Sequence, residues 1–159
     1  MLTLQICWLG KKSADSPEEQ MVQRYATRLK PWCKLTIHVL KPLNSAACDA
    51  DQIRRKEHEL FATWWDGKGL LVVLDERGKA MSSHQWADWL EGRSSEGHSK
   101  ITYLVGGAHG VDPALQQKAQ LLLSLGPLTL PHGLARVLLI EQIYRAMAIR
   151  KGHPYHHDD

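Results

Sequence analysis

The property that most narrows what this chain can fold into is alternation. Apolar runs at Leu2–Leu9, Cys33–Leu40, Leu70–Leu74, Ile101–Val105 and Leu121–Leu125 are separated by stretches carrying helix signals. Strands alternating with helices predict a largely parallel sheet with helices on its faces. Leu70–Leu74 reads Leu-Leu-Val-Val-Leu without interruption, the pattern of a strand covered on both sides, so it is expected to be central. Cys33–Leu40 instead alternates Leu35, Ile37 and Val39 with Lys34, Thr36 and His38, which predicts one wetter face and a place toward an edge.

The helix signals are local. Pro17 after Ser16 opens a helix running to about Leu29. Asp49 or Asp51 caps the second, which Gly67 to Gly69 ends, and Ser82 or Ser83 caps the third, with Trp86, Trp89 and Leu90 on its apolar face. Asp112-Pro113 starts a fourth through about Gln120, and Leu134–Arg150 forms the last, apolar around much of its circumference. Asp75 to Lys79 reads as a turn and Gly92 to Ser99 as a Gly/Ser loop.

At 159 residues with 43% apolar content, one α/β domain over 1–159 is expected. The candidate linker Lys41 to Ala47 is too short to separate independent domains. Twenty basic against 17 acidic residues leave a net charge of +3, which permits a polyanionic partner without demanding one. Cys7, Cys33 and Cys48 form no C-x-x-C pair and read as reduced packing thiols of a cytosolic protein. There is no basic leader, and the longest apolar stretch is broken at Glu141, Gln142 and Arg145, so no secretion and no membrane span are expected.

Three segments carry possible chemistry. Gly106-Gly107-x-x-Gly110 follows a strand and resembles a phosphate-binding turn, but lacks the G-x-G-x-x-G spacing, and a tight loop needing positive φ at one or two glycines is the better local explanation. In Leu125-Gly126-Pro127-Leu128-Thr129-Leu130 a Gly-Pro pair interrupts an apolar run, leaving main-chain groups able to read an adenine edge, or forming a buried crossover. Glu141 and Arg145 are i, i+4 neighbours: either a plain surface pair, or part of a site at a subunit boundary where a second copy covers the apolar helix. In the tail, His153, His156 and His157 lack a second ligand group at metal-binding spacing, so no metal is expected, whereas Tyr155-His156 suits acid/base work. Lys11, Lys12, Arg54, Arg55 and Lys56 are candidate phosphate contacts.

Together, Leu74-Asp75-x-x-Gly78-Lys79-x-x-Ser82-Ser83, Gly106-Gly107-x-x-Gly110, Leu128-Thr129-Leu130-Pro131-His132, Arg136-Val137, Glu141-Gln142-x-Tyr144-Arg145-Ala146 and Tyr155-His156 resemble, in order and spacing, the ribosomal RNA large subunit methyltransferase H family of the SPOUT class. The resemblance implies a mostly parallel sheet flanked by helices with a C-terminal trefoil knot. It also implies S-adenosylmethionine as cofactor, and methylation of N3 of a pseudouridine in 23S rRNA on the assembled ribosome by a homodimer. By similarity Leu74, Gly107 and Leu125, Gly126, Pro127, Leu128, Thr129 and Leu130 contact the cofactor. For the chemistry, His156 or Tyr155 is expected to orient or deprotonate the base, Arg145 to stabilise developing charge, and Glu141 to hold Arg145. The competing expectations are a non-catalytic RNA-binding or ribosome-assembly factor of the same fold, and a different nucleotide-using enzyme that owns the glycine loop.

Overall fold

The computed structural model describes residues 1–10, 15–41 and 47–157. Five parallel strands form one sheet: β1 (Leu2–Leu9), β2 (Cys33–Leu40), β3 (Leu70–Ala80), β4 (Lys100–Val105) and β5 (Leu121–Ser124), in the order β2-β1-β4-β3-β5. The helices are α1 (Pro17–Leu29), α2 (Ala50–Trp64), α3 (Ser83–Ser95), α4 (Pro113–Gln116) and α5 (His132–Arg150).

Period-two alternation in the strands sorts the core into two layers. Leu4, Ile6 and Trp8 of β1, with Leu70, Val72, Ile101 and Tyr103, face α1, α3 and α5. Cys7 and Leu9, with Leu71, Val73 and Leu104, face Phe61 of α2 and Leu115 of α4. Both faces of the middle strands are therefore dry, which is why β3 begins as an unbroken apolar run. β3 is internal, although β4 takes the centre. β2 lies at the edge with Lys34 and Thr36 exposed, as its alternation predicts.

The caps act where the sequence places them. Ser16 accepts from the Glu19 amide, and Asp49 with Gln52 and Ser82 with Gln85 form complete capping boxes. Three boundaries differ from expectation by more than two residues. Asp75 to Lys79 does not end β3: Leu74 and Lys79 both pair with Leu123, so the intervening residues bulge while the strand continues. α3 runs on through Gly92 to Ser95, its end closed by the Glu96 amide bonding the Gly92 carbonyl. α4 stops at Gln116 because Gln120 is already tied to β3, its amide donating to Leu71 O at 2.9 Å and its Oε1 accepting from Leu71 N at 2.6 Å.

α5 packs against α1 and α3 and buries Leu139, Ile140, Ile143 and Met147 within its own chain. A second copy is not needed to cover most of it, yet Leu128, Leu134 and Leu138 stay exposed near its start. Cys7 and Cys33 are buried free thiols whose pKa burial pushes up, to about 12 and about 11 respectively. No helix among the described residues is long and apolar enough to cross a membrane.

Candidate active site

In a parallel sheet every strand runs toward the same side, and there the bulge of β3 and the loops after β4 and β5 border a cavity of about 850 Å³. That volume lies within the roughly 300–1,000 Å³ of small-molecule sites. Its walls include Leu74, Asp75 and Glu76 at the bulge of β3, Gly106 to Val111 after β4, and Leu125, Gly126, Leu128, Thr129 and Leu130 after β5. Of the eight residues expected to contact a cofactor, seven line this space; Pro127 does not. Gly126 holds φ +121°, a conformation that favours glycine, and its amide donates to Ser124 Oγ at 3.1 Å.

The glycine loop is positioned from α2. Arg54 Nη1 donates to the His109 carbonyl at 3.0 Å, and His58 Nδ1 lies 2.8 Å from Asp112 Oδ2. A Cβ on Gly107 would fall 2.9 Å from Glu57 Oε2, so glycine lets the backbone pass close over a buried carboxylate. The hydrogen bond from His58 holds the Asp112 carboxyl below the usual aspartate range. Asp112 also caps α4 through the Ala114 amide at 3.2 Å, so a carboxylate occupies the helix start where a dinucleotide's pyrophosphate would sit. That disfavours the nucleotide-enzyme alternative.

Arg54, read from the sequence as a candidate phosphate contact, also lines the cavity, as do Asp75, Gln116 and His132, to which the sequence assigned no role. Asp75, the first polar residue after the apolar run Leu70–Leu74, and His132 both stand in the motifs that carry the family resemblance. Asp75 Oδ2 accepts from Gln116 Nε2 at 2.7 Å and its Oδ1 from the Arg77 amide at 2.8 Å. Main-chain groups of the two loops with the Asp75 and Glu76 residues fit a cofactor that carries hydrogen-bonding groups and a positive charge.

The four residues expected to act in catalysis form a second group. Glu141 Oε1 accepts from Arg145 Nη2 at 2.6 Å, from Arg145 Nε at 3.0 Å and from the Tyr155 hydroxyl at 3.0 Å. Arg145 Nη1 reaches His156 Nδ1 at 3.0 Å, and its guanidinium lies 4.8 Å from the Tyr155 ring centre. With its proton committed to Glu141, Tyr155 accepts from Tyr25 at 3.2 Å. Burial, then the contacts with Tyr25 and Glu141, raise the Tyr155 pKa well above that of a free phenol. The Glu141–Arg145 pair is thus neither simply a surface pair nor isolated; it organises the tail.

None of these four lines the cavity. Glu141 and Arg145 lie six and ten residues beyond Ala135, roughly 9 and 15 Å farther along α5 at a rise of ~1.5 Å per residue. Of the candidate phosphate contacts, Arg54 is engaged with His109 and Asp51, and Lys56 donates to Cys48 Sγ at 3.2 Å. Lys11 and Lys12 lie outside the described residues, as do Asp158 and Asp159.

Residues 2–156 match the family described as "Predicted SPOUT methyltransferase". The chain is 39% identical over 133 residues to the "Ribosomal RNA large subunit methyltransferase H" of Burkholderia thailandensis, covering 83% of this chain and 85% of that protein. It is 38% identical to the same-named protein of Burkholderia multivorans over the same spans. Among solved structures it resembles that of "a probable methylase family protein" from Haemophilus influenzae, with a TM-score of 0.54 at 11% identity over 98% of this chain and 70% of that one, a likeness of fold.

Proposed function

The chain belongs to the SPOUT methyltransferase family, and from that premise we propose that it uses S-adenosylmethionine to methylate N3 of a pseudouridine in 23S rRNA. In this reading it acts on the assembled ribosome, as a cytoplasmic homodimer. The observation that carries the reading is the convergence of Leu74 at the β3 bulge, Gly107 after β4 and five residues of the Leu125–Leu130 segment after β5 on one cavity. The relatives named as ribosomal RNA large subunit methyltransferases supply the substrate class.

S-adenosylmethionine supplies a methyl group already activated on a sulfonium. When bound, it would give up that methyl as an N–C bond forms and the C–S electron pair passes to sulfur, and the N3 proton would pass to solvent water. The protein therefore has to align the acceptor nitrogen and handle that proton. Because Tyr155 donates to Glu141 and has a raised pKa, it positions its neighbours and does not accept the proton. Arg145, braced by Glu141, offers a fixed positive charge for an oxygen beside the reacting nitrogen. His156 is placed by Arg145 to contact the base.

Distance along α5 separates this group from its own cavity, so in the proposed dimer the tail of one protomer lies over the cavity of the other. The exposed Leu128, Leu134 and Leu138 beside the cavity are the apolar surface such a partner would cover. The trefoil knot belongs to the same reading. It is supported by α5 leaving the edge strand β5 yet packing between α1 and α3, with Ser124 Oγ 3.2 Å from the Glu76 carbonyl where the chain turns back.

Mass spectrometry of 23S rRNA from cells lacking the gene tests the activity. A methyl missing from one pseudouridine, restored by the wild-type chain and not by His156→Ala, is the expected result. Unchanged rRNA, together with no binding of S-adenosylmethionine to the protein and ribosomes combined, would leave the non-catalytic RNA-binding factor as the function.

A further inference from the structure

A second cavity, of about 500 Å³, opens between the end of β1, the start of α1 and the start of α5. It shares Gly107, Ala108 and His132 with the larger cavity, so the two meet across a thin wall. Its other lining is mixed. Leu9 and Val22 give apolar surface, while Glu18, Glu19 and Arg136 bring charge.

Two of those charged side chains are more than nine-tenths buried, Arg136 at 6% and Glu19 at 7% exposure. The Arg136 guanidinium lies 5.1 Å from the Trp8 ring centre, and the Glu19 charge favours its protonated form against the cost of burial. A Cβ on Gly10 would run into Arg136 Nη2, so glycine keeps the guanidinium's place open. Burial and the charge of Arg136 lower the pKa of His132 in the shared wall. Glu19 Oε1 also accepts from Gln23 Nε2 at 3.1 Å, and burying such groups is costly unless they are paired.

The charge balance says what kind of ligand fits. Two carboxylates against one guanidinium repel a phosphate, while an acceptor and a donor at one site suit an uncharged ring that carries both N–H and C=O groups. A ring held here would lie beside the cofactor cavity, where a methyl acceptor has to be.

We propose that this second cavity receives the heterocycle of the acceptor nucleotide, a pyrimidine-type base turned out of its stack, with Glu19 accepting from a ring N–H and Arg136 donating to a ring carbonyl. Enzymes acting on a base commonly extrude it into such a pocket and read its edge by hydrogen bonds. The subsite rests on the methyltransferase reading and adds to it where the acceptor ring sits and which residues of this chain select it.

Trp8, beside Arg136, gives a readout independent of turnover. With S-adenosylhomocysteine present, pseudouridine and uridine nucleosides are titrated against the ¹⁵N-labelled protein, and ribose 5-phosphate serves as the anionic control. The expected result is a saturable shift of the Trp8 indole signal, assigned through Trp8→Phe, with the nucleosides only. Glu19→Gln and Arg136→Lys should each weaken nucleoside binding by about tenfold, the loss of one hydrogen bond to a charged group, with S-adenosylhomocysteine affinity unchanged. Arg136→Lys keeps the buried charge and so guards against simple misfolding. No shift up to the solubility limit, an equal response to ribose 5-phosphate, or wild-type affinity in both folded variants would overturn the subsite. Nucleoside binding in a protein whose gene deletion leaves rRNA unchanged would overturn the rRNA reading alone.

Discussion

Arg145 Nη1 donates to His156 Nδ1 across 3.0 Å, and because a guanidinium has no lone pair to offer, the imidazole nitrogen is the acceptor. The ring proton of His156 is thereby directed to Nε2. Arg145 thus sets the tautomer that His156 presents.

Arg145→Lys keeps a charge but loses the fork that holds Glu141 and His156 together. Single-turnover methylation of ribosomes should fall by about 10²-fold, the scale of losing an electrostatic stabiliser, while cofactor affinity stays unchanged. A rate within twofold of wild type would show that the fork has no role in the reaction.

Tyr155 links two chain regions 130 residues apart, through Tyr25 on one side and Glu141 on the other. Tyr155→Phe should cost about 0.5–1.5 kcal/mol in urea unfolding, the net worth of a hydrogen bond. Tyr25→Phe added to it should cost less than the sum of the two single changes, because both remove the same contact.

The Asp112 carboxyl titrates below its ordinary value, chiefly through the hydrogen bond from His58. A depressed carboxylate contributes stability that is complete above the unfolded value, about 3.9, and lost as pH falls through the lower folded value. Asp112→Asn, which still caps α4, should therefore flatten the acid limb of melting temperature against pH below about 4. An identical acid limb in the two proteins would remove Asp112 as a source of it.

Gly107→Ala places a methyl 2.9 Å from Glu57 Oε2, so the loop or the buried carboxylate must move. Calorimetric S-adenosylmethionine affinity should drop by about tenfold or more, since a shifted loop misplaces the main-chain groups of the cavity. Glu57→Ala in the same chain should recover some of the loss.

Leu134 and Leu138 are 48% and 38% exposed on α5. Replacing both with Glu should give a monomer by light scattering and abolish methylation while leaving the circular dichroism spectrum intact. A dimer surviving the double change would move the proposed interface elsewhere.

Local chemistry decided much of this protein within the chain's own order. Ser16, Asp49, Ser82 and Asp112 announce helix starts because a capping side chain reaches only two or three residues ahead. The dry run Leu70–Leu74 and the half-wet Cys33–Leu40 announce internal and edge strands because burial is written into side-chain alternation. The glycine loop and the Leu125–Leu130 segment were legible as candidates by resemblance, and seven of the eight proposed contacts line one cavity.

Tertiary structure alone decided the rest, because it depends on groups far apart in sequence. The bulge after Leu74 follows from pairing with Leu123. Gln120 shortens α4 by reaching across to Leu71. Asp75 meets Gln116, and Arg54 meets His109, only once the strand order β2-β1-β4-β3-β5 has brought the loops together. The length of α5, likewise, keeps Glu141, Arg145, Tyr155 and His156 away from the cavity at its start. Capping and alternation act over a few residues, whereas a site is made by strand order and helix length, which no short window of sequence contains.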